Sequence, residues 1–159
     1  MPGGKLDAFF DLLVRTNRVE PAQSGNGRKR STVLLIEEDQ GRTDQLATML
    51  GWLGVIILRA LNVDEAFEIW TLNPFSIDLL VTDIVLAGMT GCEVAVKFRK
   101  TRPDLKIILT SRNHPEALQE TSKIVKGAKL LKEPVTALTL FNAISSELGL
   151  KPKAELLAH

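Results

Sequence analysis

The stretch that decides the fold is Ile77-Asp78-Leu79-Leu80-Val81-Thr82-Asp83, which is followed by the loop Leu86-Ala87-Gly88-Met89-Thr90-Gly91. The first segment is apolar and rich in strand-forming residues, so it predicts a buried strand over residues 78–82. In an open α/β sheet, reactive groups and ligands collect just beyond the carboxyl ends of the strands. Asp83 is therefore a candidate nucleophile or metal ligand.

The rest of the chain repeats this strand-and-helix pattern on both sides of Asp83. Apolar runs predict strands at 32–36, 55–58, 78–82, 106–109 and 128–131. Amphipathic spacing predicts helices at 42–53, 63–72, 92–100, 115–125 and 136–148, with Asn62 as an N-cap and Gly149 closing the last one. Five such pairs indicate an α/β fold with a parallel sheet covered on both faces, and right-handed crossovers bring all strand carboxyl ends to one edge.

Three segments at the ends of the chain lie outside this pattern. Residues 1–19 predict an amphipathic helix, residues 20–31 a flexible linker, and residues 149–159 a frayed C-terminal tail. The extra N-terminal helix either packs on its own domain or serves as a docking or dimerisation helix. The sequence leaves both alternatives open.

The overall composition excludes several classes of protein. The chain has 159 residues, of which 45% are hydrophobic and 25% charged, and a net charge of +1, so it suits one globular domain with no demand for nucleic acid or a membrane surface. The single cysteine, Cys92, excludes an intrachain disulfide. No signal peptide and no apolar run near ~18 residues is present, so a cytoplasmic protein is expected.

Polar residues follow four of the predicted strands. They are Glu37-Glu38-Asp39, Asp83, Thr110-Ser111 and Lys132-Glu133-Pro134. Carboxylates that converge on one edge repel one another, and a divalent cation relieves that repulsion. Mg²⁺ prefers one or two carboxylates, several waters and a phosphate oxygen. A hydroxyl and an ammonium group could then contact the phosphate.

These motifs, in this order and one per strand end, resemble the receiver domains of two-component response regulators. The resemblance covers residues 32–148 and rests on Val33–Asp39, Asp78–Asp83, Gly88–Gly91 and Ile107–Ser111. It implies a doubly wound, flavodoxin-like (βα)5 receiver fold, in which the residue matching Asp83 accepts a phosphoryl group from a histidine kinase or phosphotransfer protein.

The resemblance also implies roles for the neighbours of Asp83. Glu37, Glu38, Asp83 and the backbone carbonyl of Val85 would hold Mg²⁺. Thr110 would be the switch hydroxyl, and Lys132 is a candidate phosphate contact.

Four positions depart from the family pattern. Glu38 replaces an Asp, Glu133 stands where a Lys precedes the proline, Leu130 or Leu131 replaces an aromatic residue, and Ala87 replaces a Pro. A Glu near a phosphoryl group would repel it.

Two main hypotheses therefore stand, neither of which makes the protein an enzyme in the usual sense. The first is a stand-alone phosphoacceptor that signals by protein contact through the face formed by helix 115–125, strand 128–131 and helix 136–148. This hypothesis expects no DNA binding, and it leaves open whether the protein forms a homodimer. The alternative is a degenerate, phosphorylation-independent receiver that acts as a binding module. A weaker third hypothesis is an unrelated flavodoxin-like enzyme such as a metal-dependent phosphatase, but the chain has no glycine-rich phosphate cradle.

Overall fold

The computed structural model describes residues 30–51, 53–111 and 115–150. Strands and helices alternate along this part of the chain. The strands are β1 (Thr32–Ile36), β2 (Ile56–Ala60), β3 (Leu79–Asp83), β4 (Lys106–Ser111) and β5 (Lys129–Lys132). The helices are α1 (Gln40–Gly51), α2 (Val63–Leu72), α3 (Gly91–Thr101), α4 (Pro115–Ile124) and α5 (Ala137–Leu148).

All five strands are parallel and form one sheet in the order β2-β1-β3-β4-β5. β3 is therefore the central strand. The predicted five-stranded, doubly wound α/β fold is confirmed. Because the strands are parallel, the carboxyl ends of β1, β3, β4 and β5 lie along one edge of the sheet.

The sheet is buried on both faces, as its continuous apolar strands require. One face packs against α2 and α3 through a cluster that includes Phe98, whose ring stacks on Trp70 at 4.2 Å between centroids. The other face packs against α1 and α5 through a cluster that includes Val81 and Ile144. Since side chains alternate along a strand, Asp83 follows Val81 onto the α1/α5 face.

Several element boundaries differ from the sequence expectation by one to two residues. Helix α1 begins at Gln40 because the Asp39 carboxylate caps it, accepting a hydrogen bond from the Arg42 backbone N–H at 3.1 Å. Strand β2 extends to Ala60 because that residue pairs with Ile36. Strand β4 extends to Ser111, so Thr110 and Ser111 belong to the strand and do not follow it.

Two predicted helix ends are confirmed. The Asn62 side chain caps α2 by accepting from the Glu65 backbone N–H at 2.8 Å. Gly149 closes α5 in the left-handed conformation, with φ of 63°. The predicted N-terminal helix at 1–19, nearly all of the linker at 20–31 and nearly all of the tail at 149–159 lie outside the described residues. Within the described part of the chain, no helix is long and apolar enough to cross a membrane.

Candidate functional site

The carboxyl edge of the sheet brings Asp83 and Thr110 together. The register places Asp83 beside Thr110 on the neighbouring strand, and the Ile84 N–H continues the pairing by donating to the Thr110 carbonyl at 2.9 Å. On the other side, β1 continues past Ile36 because the Glu37 N–H donates to the Ala60 carbonyl at 3.1 Å. Glu37 and Asp83 thus extend from neighbouring strands at the same edge.

A cavity of about 380 Å³ opens at this edge. Its lining consists of acidic side chains and the start of the loop after β3, namely Ile36, Glu37, Glu38, Asp39, Asp83, Val85 and Leu86. The structure therefore brings together four of the predicted site residues, Glu37, Glu38, Asp83 and Val85, around one space.

Asp83 is held by the loop that follows it. The Val85 N–H donates to Asp83 Oδ1 at 3.2 Å, and the Gly91 N–H donates to the Ile84 carbonyl at 2.8 Å. Gly91 begins α3 against the backbone of Asp83. A Cβ at this glycine would lie 3.0 Å from the Asp83 carbonyl carbon and closer still to its oxygen, so no larger residue fits without a shift. Gly91 thus sets how closely α3 approaches Asp83.

Glu38 and Asp39, which follow Glu37 in the β1–α1 loop, both accept hydrogen bonds from backbone N–H groups. Glu38 Oε1 accepts from the Ala87 N–H at 2.7 Å, which ties this loop to the loop after β3. Asp39 caps α1, as described above. The buried Thr43 fixes the same turn, because its hydroxyl donates to the Asp39 carbonyl at 2.9 Å. The loop that carries the acids is therefore well anchored.

Burial raises the pKa of the Glu37 carboxyl above its ordinary 4.5. The charges of Asp83 and Asp39 raise it further, while the Asp39 backbone N–H and the Arg42 guanidinium act in the opposite direction. Because the pKa of Glu37 is raised overall, desolvation and the nearby negative charges affect it more than the stabilising contacts with the Asp39 N–H and Arg42 do. The edge is therefore an acidic cluster under electrostatic strain.

Arg42 lies between two carboxylates of this edge. Its Nε lies 3.5 Å from Glu37 Oε2, and its Nη1 lies 4.0 Å from Glu133 Oε1. The Glu133 side chain is only 10% exposed, and its backbone N–H donates to the Ser111 carbonyl at 2.7 Å. Glu133 therefore extends the end of β5 toward α1, where an arginine opposes it.

The structure does not bring Lys132 together with Asp83. Lys132 is exposed and pairs with Ser111, one residue beyond the Asp83–Thr110 row. Leu131 packs with the α1/α5 cluster, so Lys132 follows on the opposite face from Asp83. Leu130 packs on the α2/α3 face, where the resemblance would place an aromatic residue.

The carboxylates of this cavity suit the Mg²⁺ ion that the sequence predicts. Among the residues that the structure describes, no three His, Cys, Asp or Glu side chains are grouped so as to hold a metal by themselves. Mg²⁺ needs only one or two carboxylates and keeps several waters. Glu37 and Asp83, with the backbone at Val85, line one cavity and are mutually destabilised by like charge, so they fit such an ion.

Sequence reasoning missed Arg42, Thr43 and the role of Ala87. The spacing Asp39-x-x-Arg42 was a usable signal for the helix cap, because an N-cap side chain accepts from the backbone three residues on. The proximity of Arg42 to Glu133 had no local signal. These two residues are far apart in sequence and meet only at the sheet edge.

Comparison with known proteins identifies the family. The chain matches the response regulator receiver domain family over residues 33–145. The response regulator receiver protein CpdR of Brucella abortus (strain 2308) is 34% identical over 116 residues, which cover 73% of this chain and 95% of CpdR. The sensor kinase CckA of the same organism is 31% identical over 100 residues, which cover 63% of this chain and 10% of CckA.

Solved structures agree with this assignment at the level of the fold. A response regulator receiver domain protein from Clostridium thermocellum matches with a TM-score of 0.66 and 25% identity, covering 75% of this chain and 94% of that one. The CheX–CheY–BeF3–Mg complex from Borrelia burgdorferi contains a chain that matches with a TM-score of 0.65 and 21% identity, covering 74% of this chain and 89% of that one. The chain belongs to the response regulator receiver domain family, whose members are signalling domains of two-component systems.

Proposed function

We propose that the protein accepts a phosphoryl group on Asp83 from a histidine kinase or phosphotransfer protein. The observation that carries the proposal is the position of Asp83. It ends the central strand, lines the acidic cavity beside Glu37, and is held by the loop and by Gly91. The similarity of this chain to a segment of the sensor kinase CckA supports a kinase as the partner.

The chemistry is a nucleophilic displacement at phosphorus. An oxygen of the Asp83 carboxylate attacks the phosphorus of a phosphohistidine, a new O–P bond forms and the P–N bond breaks. The electron pair of the broken bond goes to the imidazole nitrogen, which takes up a proton from solvent. Transfer of this kind depends on positioning and on neutralising the charge of three equatorial oxygens.

Glu37, Asp83 and the Val85 carbonyl would hold Mg²⁺ in this site. A bound Mg²⁺ supplies charge neutralisation at the phosphoryl oxygens. Glu38 remains a predicted ligand, although one of its oxygens accepts from the Ala87 N–H. Its second role, tying the two loops together, would continue with the ion bound.

The output of the switch is proposed to pass through Thr110 to the surface of α4, β5 and α5. Thr110 is buried and pairs with Asp83 across the sheet, which supports a role for its hydroxyl in sensing a phosphoryl group. Ile124 on α4 and Leu138 on α5 are large apolar side chains that are about 60% exposed, at 58% and 61%. These two side chains belong to two of the elements that form the proposed output surface, where a protein target would bind.

The test uses beryllofluoride and Mg²⁺ with amide NMR, followed by phosphoramidate labelling and intact-mass measurement. Wild-type protein should show shifts at Val85 and Gly91 and gain one phosphoryl group, whereas Asp83→Asn should do neither. Asp78→Asn is the matched control. Asp78 begins the same segment at the far edge of the sheet, where its Oδ2 accepts from the Thr32 N–H at 2.8 Å, and the asparagine oxygen can keep that bond. Labelling of Asp83→Asn equal to wild type would refute the assignment.

A second candidate function is a phosphorylation-independent binding module. The observation that favours it is Glu133, a mostly buried carboxylate at the end of β5 on the side of α1. Absence of beryllofluoride binding and of phosphoramidate labelling in folded wild-type protein would favour this candidate over the first.

A further inference from the structure

Among the residues that the structure describes, the carboxyl edge of the sheet carries more acids than cations. Its carboxylates are Glu37, Glu38, Asp39, Asp83 and Glu133. Both ion pairs that the described residues form at this edge involve the same cation, Arg42. Lys132, at the end of β5, is exposed on the opposite face of the sheet. A phosphoryl group on Asp83 would add further negative charge to this edge.

The geometry of Arg42 is that of a guanidinium shared between anions and not locked onto one of them. The distances of 3.5 Å to Glu37 and 4.0 Å to Glu133 are both longer than the ~2.9 Å of a strong N–H···O hydrogen bond. Its donors can therefore re-orient toward a third anion. A guanidinium presents a planar fork of donors that matches phosphate oxygens.

The backbone on both sides of Arg42 is fixed, so the side chain starts from a defined place. The Arg42 N–H donates to the Asp39 side chain in the first turn of α1, and Thr43 anchors the same turn. Glu133 is held by the backbone bond to Ser111. Only the guanidinium itself has room to move, with the Arg42 side chain 27% exposed.

We propose that Arg42 is the phosphoryl-binding cation of this receiver and that Glu133 is the carboxylate that positions it. In the resting site the guanidinium lies between Glu37 and Glu133. When Asp83 is phosphorylated, the guanidinium moves toward the phosphoryl oxygens and Glu133 keeps it at the edge of the sheet. The acidic residue at position 133 thus acts through Arg42 and does not contact the phosphoryl group. This inference rests on the proposed function of Asp83.

The experiment measures the beryllofluoride concentration that half-saturates the amide shifts of Val85 and Gly91, in excess Mg²⁺. Arg42→Gln should raise that concentration about 10-fold or more, because a charge-assisted contact is lost. Glu133→Gln should raise that concentration when Arg42 is present and leave it unchanged when added to Arg42→Gln, because Glu133 acts through Arg42 and the two sites are coupled. Arg42→Lys keeps the charge without the fork and should fall between wild type and Arg42→Gln.

Arg59→Gln is the matched control for loss of an arginine. Arg59 on β2 pairs with Asp44 on α1, and neither residue lines the acidic cavity. This variant should bind beryllofluoride as wild type does.

The outcomes separate the two proposals. If wild-type protein binds no beryllofluoride, the phosphoacceptor function fails and this inference fails with it. If wild type binds and Arg42→Gln binds equally or more tightly, Arg42 is only a counter-ion of the resting acids and the inference alone is overturned. If Arg42→Gln does not fold, the comparison of Arg42→Lys with wild type decides, and equal half-saturation in those two overturns the proposal.

Discussion

Gly91→Ala is the substitution that most directly tests how the fold positions Asp83. The added Cβ would lie 3.0 Å from the Asp83 carbonyl carbon and from Thr82 Cγ2, and closer to the Asp83 carbonyl oxygen. These are backbone and buried neighbours, so the strain cannot be relieved by a flexible side chain. We expect the start of α3 and the end of β3 to separate by on the order of 1 Å.

The expected consequences concern both stability and reactivity. Overpacking of this kind should lower the free energy of unfolding by about 1–3 kcal/mol. A displacement of ~1 Å at the reacting group can reduce a rate about 10²-fold. We therefore expect phosphoramidate labelling of Asp83 to slow by about two orders of magnitude, measured by intact mass over time, and the urea midpoint to fall.

Gly54→Ala is the control, since it imposes a backbone cost away from the site. Gly54 has φ of +69° with nothing within 4 Å of the added Cβ, and it precedes β2 at the opposite edge of the sheet. It should lose about 1 kcal/mol of stability and keep its labelling rate. Labelling of Gly91→Ala at the Gly54→Ala rate would refute the argument that Gly91 positions Asp83.

Three further predictions concern the stability of the fold and are checked by thermal or urea unfolding. With EDTA present, Glu37→Gln should unfold at a higher temperature than wild type at pH 7. The folded state raises the pKa of Glu37 above 4.5, so the stability that the protonated carboxyl gives to wild type is complete below the ordinary pKa and is lost as pH rises through the folded-state pKa. The higher unfolding temperature of Glu37→Gln should therefore disappear well below pH 4.5. Phe98→Ala should cost about 3–5 kcal/mol, because this fully buried ring stacks on Trp70; a cost under ~1 kcal/mol would contradict the packing. Thr90→Ala should cost about 1 kcal/mol by removing the capping box with Glu93, whereas Thr90→Ser, which keeps the hydroxyl, should lose far less.

Local sequence patterns were sufficient for the order and type of the elements. Apolar runs such as Leu79–Val81 must be buried on both faces, and only a parallel sheet between two helical layers provides that. The boundaries were less accurate, because they depend on caps and on pairing partners. Helix α1 begins two residues earlier than predicted because Asp39 caps it. Strand β4 ends later than predicted because Thr110 pairs with Leu131.

Part of the candidate site could also be derived from the sequence. A strand that ends in a carboxylate, beside other strands that end in carboxylates or hydroxyls, predicts a shared site as soon as the strands are parallel. This argument predicted Glu37, Glu38 and Asp83 together, the resemblance to receiver domains added Val85, and all four line one cavity in the structure. Lys132 was predicted because it ends strand five one residue before the position where receiver domains have a lysine, and in the structure it follows Leu131 onto the face of β5 opposite the α1/α5 cluster.

The sequence by itself determined that Asp83 ends a buried strand among acidic neighbours, because that conclusion needs only periodicity and the geometry of parallel sheets. Only the tertiary structure decided what surrounds the carboxylate. Glu133 is opposed by Arg42, Glu38 is tied to Ala87, and Gly91 contacts the Asp83 backbone. These contacts join separate loops at the sheet edge, and distances between such loops follow from how helices and strands pack, which no local pattern encodes.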